Sequence, residues 1–314
     1  MTFLVCGEAL WDLFAQPSAE GLGYAARLGG SPFNVAVGLS RLGTPAALLT
    51  GVSRDALGER IAQALRTEGV SDAHLLRTDR PTTLSLVDLD AAGSPSYAFY
   101  GEGAADRALT PADLPAALPD DVWGLHLGSY SVAVDPVGEA LATLAAREKG
   151  RRLVTYDPNV RPTVEPDLAR WRDRIARAAS SADVVKVSAE DLEMVFPGEA
   201  EAAVVARWHA AGAGLVVITR GAAGAEGFCG DRRVFVPARP VKVADAVGAG
   251  DSFMAALIDG LGRAGVRSAA QAGALGEDAL AGLLSRAGLA AGETCRRRGA
   301  DLPDAAALDA LAAD

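Results

Sequence analysis

Six short apolar runs, separated by amphipathic stretches, constrain this chain more than any other feature. They are FLVCG at 3–7, AALLTGV at 46–52, VWGLHLG at 122–128, RLVTYD at 152–157, DVVKVS at 183–188 and GLVVITR at 214–220. Each reads as a strand, with helical patterns between them. Ser31-Pro32 opens one helix, Ser at the N-cap and Pro in the first turn, and Gly43 closes it. ALGERIAQALRTEG repeats the pattern, with Gly69 as its stop. Such alternation predicts an α/β chain with a mostly parallel sheet covered by helices on both faces. With 314 residues, 50% of them hydrophobic, the chain can bury a large core. No internal repeat or low-complexity linker divides it, so a single domain over 1–314 is expected. The Ala-rich tail after Leu302 predicts a last short helix.

One region breaks the alternation. TTLSLVDLD (82–90) and SYAFYGE (96–102) have period-2 character and flank AAGSP, which predicts a hairpin. Residues 13–28 also read as extended and glycine-rich, and are placed to pair with it. A small β lid, formed by about 10–30 and about 80–108, is expected apart from the main sheet.

Composition and motifs exclude several classes. The net charge of −10 argues against general nucleic-acid binding. It does not exclude a small anion, because backbone dipoles can dominate a site. No stretch reaches the roughly 18 apolar residues needed to span a bilayer. The opening MTFLVCGEALWDLF reads as a buried first strand, not a signal peptide. Cys6, Cys229 and Cys295 are odd in number and lack a paired metal spacing, as expected of a protein in a reducing cytoplasm. A nicotinamide dehydrogenase needs G-x-G-x-x-G after a strand, and a Walker-type kinase needs G-x-x-x-x-G-K-[ST]. No pattern of the first kind follows a strand here, and the second does not occur.

In open parallel sheets, ligands bind outside the carboxyl ends of the strands. Polar residues collect at those ends: Glu8 and Asp12 after the first run, Asp157 and Asn159 after RLVTY, Lys186 and Glu190 at and beyond DVVKV, Thr219 and Arg220 after GLVVI. Each alone also suits a helix cap or a turn. Their collection on one rim points to a site.

DAVGAGDSF, residues 245–253, sharpens that reading. Gly248, Ala249 and Gly250 make a side-chain-poor turn at the start of a helical pattern. The unpaired N–H groups and the positive end of the helix dipole there form an anion hole suited to a phosphate. Asp251 beside it can accept the proton of an attacking hydroxyl while the hole stabilises the transferring phosphoryl. Asp245 is placed to fold the turn or to coordinate a cation. An ordinary helix N-cap uses the same residue types. A second cue is GGSPFNVAVGLSRLG, residues 29–43, where Asn34 can hydrogen-bond a polyol or simply stand on a helix's first turn.

Together the two stretches resemble the two signature motifs of the PfkB (ribokinase-like) carbohydrate kinase family. Gly29, Gly30, Asn34 and Ala36 match the pattern G-G-x-x-x-N-x-A. Asp245-Ala246-Val247-Gly248-Ala249-Gly250-Asp251 matches D-T-x-G-A-G-D. The resemblance spans essentially the whole chain. It implies a three-layer α/β/α sandwich with a β lid, ATP and Mg²⁺ as co-substrates, and phosphorylation of a sugar hydroxyl. It makes Asp251 the general base and the backbone of Gly248, Ala249 and Gly250 the anion hole. Asp12, Gly29, Gly30 and Asn34 fall at the sugar, with Asp157, Asn159, Arg161 and, from the lid, Phe99 as further candidates. Thr219, Gly221 and Gly224, in TRGAAG, match the nucleotide-side loop. Lys186 falls near the ATP phosphates or braces the acidic loop, and Cys295 lies where the family runs past the adenine. Asp245 and Val247 correspond to a monovalent-cation site, usually K⁺. Two departures stand out. Ala246 replaces the commoner Thr, and the N-x-x-E motif linked to magnesium appears as Ser188-Ala189-Glu190-Asp191, leaving Glu190 and Asp191 as rivals for the metal.

Within the family, GEALWDLF, GGSPFNVAVGLSRLG, DPNVRP and KVSAEDLE most resemble bacterial fructokinases. Arg161 also suits the carboxylate of 2-keto-3-deoxygluconate, or an internal pair with Asp157. Kinases of that sugar acid tend to carry Tyr-Arg in the lid hairpin, whereas here Gly101 stands where the arginine falls, in Tyr97-Ala98-Phe99-Tyr100-Gly101-Glu102. That favours a neutral sugar. Phe99 and Tyr100 are placed to cover it or to pack the lid. A ribokinase or nucleoside kinase of the same family is a further alternative, as is a non-catalytic sugar or nucleotide sensor, against which the retained Asp251 speaks. Apolar lid residues (Leu84, Leu86, Val87, Phe99) lead to the expectation of a homodimer through the lid.

Overall fold

Along each central strand, side chains alternate between two apolar cores, and this parity decides which polar residues can share a site. A computed structural model describes residues 1–18, 21–89 and 95–313. Its strands are β1 (Thr2–Cys6), β2 (Leu10–Ser18), β3 (Gly21–Gly29), β4 (Ala46–Ser53), β5 (Leu75–Thr78), β6 (Leu84–Leu89) and β7 (Pro95–Tyr100). There follow β8 (Val122–Gly128), β9 (Leu153–Asp157), β10 (Val184–Ser188), β11 (Leu215–Thr219), β12 (Gly224–Cys229) and β13 (Arg232–Pro237). Nine of them form one sheet in the order β13-β12-β11-β10-β9-β8-β1-β4-β5. β11 through β5 run parallel, and β12 and β13 fold back antiparallel at one edge.

Phe3, Val5, Leu153, Val184, Leu215 and Val217 point into one core. That core is closed by α1 (Ser31–Arg41), α2 (Ala56–Thr67) and a later group of helices. Leu4, Cys6, Val154, Tyr156, Val185, Val187, Val216 and Ile218 point the other way. They meet α3 (Val137–Glu148), α4 (Leu168–Ala179), α5 (Ala189–Val195) and α6 (Glu201–Ala211). The later helices on the first face are α7 (Ala249–Arg263), α8 (Ala269–Gly273), α9 (Glu277–Cys295) and α10 (Ala305–Ala313). The result is a ribokinase-like three-layer sandwich.

All six apolar runs are strands of this sheet. The strands the sequence did not reveal are weak signals for clear reasons. β5 is only four residues long, and β13 alternates exposed and half-exposed side chains at the outer edge. The start of α1 differs from expectation. Gly30, at φ 102°, is the N-cap, and Ser31 is the first helical residue. The Ser31 hydroxyl is drawn to Asp251 instead of to its own helix.

The second sheet is small and separate, in the order β3-β2-β6-β7. β2 pairs antiparallel with β3 and parallel with β6, and β7 returns antiparallel beside β6. The expected AAGSP turn begins at residues 91–94, which lie outside the described residues. Asp12 does not follow β1 in a rim loop. It sits within lid strand β2, opposite Ser85 of β6. Asp55 ties the lid's base to the main body. Its carboxylate caps α2 by accepting from Gly58 N–H at 2.7 Å, and also accepts from Thr82 N–H at 3.0 Å and Thr82 Oγ1 at 2.8 Å.

From β1 the chain proceeds to β4 and β5 on one side, then returns to β8 on the other. Strand order therefore reverses between β1 and β8, which is where sheets of this kind bind ligands. Parity places His126, Thr155, Asp157 and Lys186 on the face covered by α7. Asp55→Ala should lower stability by about 1–2 kcal/mol, the usual cost of losing an N-cap. A urea titration would show this as a lower midpoint with an unchanged slope. An unchanged midpoint would remove Asp55 from the lid anchor.

Candidate active site

The N-terminus of α7 is a preformed hole. Gly248 caps it at φ 79°, and a Cβ there would stand 2.6 Å from Ala300 Cβ, so only glycine fits. The Ala249 N–H is taken by the Ala246 carbonyl at 3.3 Å and the Ser252 N–H by Gly248 at 2.8 Å. Between them the Gly250 and Asp251 N–H groups occupy the first turn, where a helix has no acceptors of its own. Asp245 folds the approach: its carboxylate accepts from Val247 N–H at 3.1 Å and Gly299 N–H at 2.8 Å. A Cβ on Gly250 would lie 3.3 Å from Lys186 Nζ, so the bare glycine brings an ammonium up to the hole.

Asp251 joins the two motif stretches. Ser31 Oγ donates to its Oδ1 at 2.6 Å and Asn34 Nδ2 to its Oδ2 at 2.8 Å, and all three residues are buried. The double glycine explains how α1 reaches this position. A Cβ on Gly30 would meet the Glu8 carbonyl at 2.7 Å, and one on Gly29 would meet Asp12 Oδ2 at 2.1 Å. Gly29 thus vacates the space that the Asp12 carboxylate occupies. Burial pushes Asp12 up to about 6, the charge of Asp251 adding to the rise while the Ser85 hydroxyl and Arg161 oppose it. Glu8, almost fully buried, accepts from Ser131 Oγ at 2.5 Å. Burial takes it to about 7 against that hydroxyl.

A second acidic group lies beneath the hole. Lys186 Nζ donates to Asp157 Oδ2 at 2.7 Å, and both side chains are at most 5% exposed. Asp157 Oδ1 is also buried and has no donor among the described residues. Burial raises Asp157 above the usual carboxylate range, with Lys186 opposing. Asp191 goes up to about 6 through burial and the charge of Asp157, against Lys186 and Arg161. Glu190 points to solvent, so of the two rivals only Asp191 belongs to the cluster. Arg161 acts on Asp12, Asp157 and Asp191 by charge, while its Nη1 donates to the Val160 carbonyl at 3.0 Å. The pairing of Arg161 with Asp157 left open from sequence does not form among the described residues: Lys186 bonds Oδ2, and Arg161 reaches that carboxylate by charge alone. Asn159, at φ 40°, turns the chain directly after β9.

The remaining candidates fall in two places. Thr219 ends β11, and Gly221 and Gly224 shape the turn into β12. Cys295, half-buried at the end of α9, accepts from Ala244 and Asp245 N–H through its carbonyl, which ties α9 to the turn before the hole. In the lid, Phe99 packs edge-on to Tyr130 at 6.0 Å, whereas Tyr100, the next residue along β7, is 60% exposed. Gly101 does not leave the lid without a cation: a Cβ there would meet Arg107 Nη2 at 2.7 Å.

Sequence reasoning missed Ser31, His126 and Arg107. Ser31 was spent on a cap, and Arg107 follows the hairpin in a short 3₁₀ turn with no periodic signal. His126 sits in an apolar run, its Nδ1 2.9 Å from Thr155 Oγ1. Burial, aided by Lys186, drives it down to about 3, so it stays neutral.

The sequence profile of the pfkB family carbohydrate kinases matches residues 4–305. A fructokinase of Rhizobium leguminosarum bv. trifolii is 41% identical over 278 residues, covering 88% of this chain and 85% of that protein. The ATP-bound fructokinase of Xylella fastidiosa superposes with a TM-score of 0.91 at 26% identity, over 99% of this chain and 97% of that one. The fructokinase of Vibrio cholerae O395, solved with fructose, ADP and a calcium ion, gives 0.84 at 29% identity over 98% of each chain.

Two outcomes are expected from the acidic cluster. Lys186→Met strands a buried carboxylate and should cost about 3–5 kcal/mol, with Asp157→Asn in the same chain recovering much of it. Equal loss in the single and double variants, read from urea midpoints, would mean that the pair does not couple. Asp12 and Asp191 hold their protons more tightly folded than unfolded. Their contribution to stability therefore falls as pH rises from the ordinary carboxyl range near 4 to about 6, and is fully unfavourable above that. Asp12→Asn should flatten this slope; an unaltered slope would place its titration elsewhere.

Proposed function

The chain belongs to the pfkB family of carbohydrate kinases, and on that premise we propose that it is a fructokinase, transferring the γ-phosphoryl of ATP to a hydroxyl of fructose. The observation that carries the reading is the bonding of Ser31 and Asn34 to Asp251, at 2.6 and 2.8 Å, on the first turn of α7. It fixes a carboxylate directly beside a hole of unpaired N–H groups. The fructokinase relatives support fructose as the acceptor.

In this reading the sugar lies between Asp251, Asn34 and the lid strand that carries Asp12. Each carboxylate oxygen of Asp251 accepts one hydrogen bond and keeps a second acceptor position. One of these takes the proton of the attacking hydroxyl while the Gly250 and Asp251 N–H groups receive the charge of the transferring phosphoryl. Lys186, beside Gly250, is placed to add positive charge there. ATP then runs toward Thr219, Gly221, Gly224 and Cys295. Closure of the lid excludes water, so transfer to the sugar outcompetes hydrolysis.

The residues present fit a divalent cation. Asp157 Oδ1 is buried without a donor and Asp191 stands close enough to be repelled by it. Asp157 and Asp191 would hold Mg²⁺, directly or through water, and the ion offsets phosphate charge when bound. Asp245, whose oxygens each accept one N–H, retains acceptor positions for K⁺ beside Val247. The three cysteines are free, in keeping with a cytoplasmic enzyme, and no helix among the described residues is long and apolar enough to cross a membrane.

The test is ATP consumption with Mg²⁺ and K⁺ against fructose, 2-keto-3-deoxygluconate, ribose and adenosine. Fructose should lead in kcat/KM by about tenfold or more, about 1.4 kcal/mol of transition-state preference. A lead for any other acceptor would overturn the fructokinase reading. Asp251→Asn should lower kcat roughly 100-fold or more with sugar binding largely kept; near-normal turnover would remove it as the base. Replacing K⁺ with tetramethylammonium should lower activity, and no change would remove the cation site.

A further inference from the structure

Arg107 reaches the acceptor side of the lid from a position outside both motifs. Asp12, Ser85 and Phe99 stand in register across β2, β6 and β7. The Asp12 carboxylate fills the space left by Gly29, two residues before Ser31, whose hydroxyl bonds Asp251 at 2.6 Å, so this face of the lid looks onto the proposed base. Thr83 and Gly101 lie two residues from Ser85 and Phe99, on the same face and about 7 Å nearer the lid's base. The Arg107 guanidinium fills this point. Its Nη2 is 2.7 Å, and Thr83 Oγ1 2.8 Å, from where a Gly101 Cβ would stand. The guanidinium carbon sits 5.2 Å from the ring centroid of Tyr130, the ring that Phe99 also touches.

Its surroundings leave Arg107 with donors to spare. The neighbouring acid, Asp106, accepts from Thr83 Oγ1 on its Oδ1 and from Tyr130 OH on its Oδ2 at 2.8 Å, and it acts on Arg107 by charge without a hydrogen bond between them among the described residues. Arg107 Nε is buried and finds no hydrogen-bond partner among the described residues. A buried guanidinium donor without an acceptor is costly unless a ligand completes it. Five donors in a rigid plane suit adjacent oxygens of a polyol.

We propose that Arg107 recognises the acceptor, its guanidinium donating to oxygens of the bound sugar from the lid, and that Gly101 is the gap that admits it. This rests on the sugar-kinase reading of the site. It also means that the glycine at 101 relocates a lid arginine instead of removing it.

The experiment compares wild type, Arg107→Met, Arg107→Lys, Gly101→Ala and the double variant Gly101→Ala/Arg107→Met, on whichever of the four acceptors wild type phosphorylates best. Arg107→Met should raise the KM for that acceptor about tenfold or more, with the KM for ATP within about twofold. Arg107→Lys, which keeps the charge but not the planar fork, should recover only part of the loss. Gly101→Ala should raise the same KM in the wild-type background and have no further effect on Arg107→Met. The proposal is overturned if Arg107→Met leaves the acceptor KM within about twofold. It is equally overturned if both KM values rise together with a lower melting temperature, or if Gly101→Ala acts alike in both backgrounds. Preference for an acceptor other than fructose would sink the fructokinase reading while still testing Arg107. Failure of wild type on all four acceptors would overturn both.

Discussion

Two hydrogen bonds to one carboxylate hold this site together. Ser31 and Asn34 reach Asp251 across 220 and 217 residues of sequence. They join the N-termini of two helices that lie on the same face of the sheet. Neither helix makes a site alone. α7 offers N–H groups and an acid, and α1 offers the donors that orient that acid. Because all three side chains are buried, their polar groups must satisfy one another, so the packing of α1 on α7 also sets the position of the Asp251 carboxylate.

Space left by missing side chains does much of the remaining positioning. Gly29 leaves room for the Asp12 carboxylate, Gly250 for the Lys186 ammonium, and Gly101 for the Arg107 guanidinium. Each glycine faces a charged group carried by another segment: strand β2 for Gly29, strand β10 for Gly250 and the 3₁₀ turn after the lid for Gly101. In a densely packed interior one added carbon at such a point displaces the charge it faces. The glycines of the motifs thus serve two ends: Gly30 and Gly248 permit left-handed backbone, and the others keep volume open.

The charge arrangement favours function over stability. Asp12, Asp157 and Asp191 crowd one region, and Lys186 and Arg161 compensate them only in part. Buried pairs such as Lys186–Asp157 contribute little net stability because desolvation offsets their attraction. What the cluster provides is a group of carboxyls with raised pKa values and, among the described residues, one buried carboxylate oxygen without a donor. His126, neutral and buried against Lys186, keeps a further positive charge out of the same space.

The sheet, its helical layers and the two motif stretches were legible in the sequence because short apolar runs and glycine-rich helix starts are local patterns. VWGLHLG, for instance, coincides with β8. β13 was not legible, since an exposed edge strand needs no apolar alternation. The residue types of the site were likewise legible, Asp251 and Asn34 among them. Their partnerships were not. That Lys186 bonds Asp157, and that Asp191 and not Glu190 faces the cluster, depend on strand parity, helix phase and the packing of segments far apart in the chain. That Arg107 fills the gap at Gly101 depends on the path of the 3₁₀ turn that follows the lid, which carries no periodic signal. Local sequence determines which backbone forms and which chemistry is available. Which charges meet is decided only when long-range packing brings their elements together, because a few ångströms separate a hydrogen bond from no interaction.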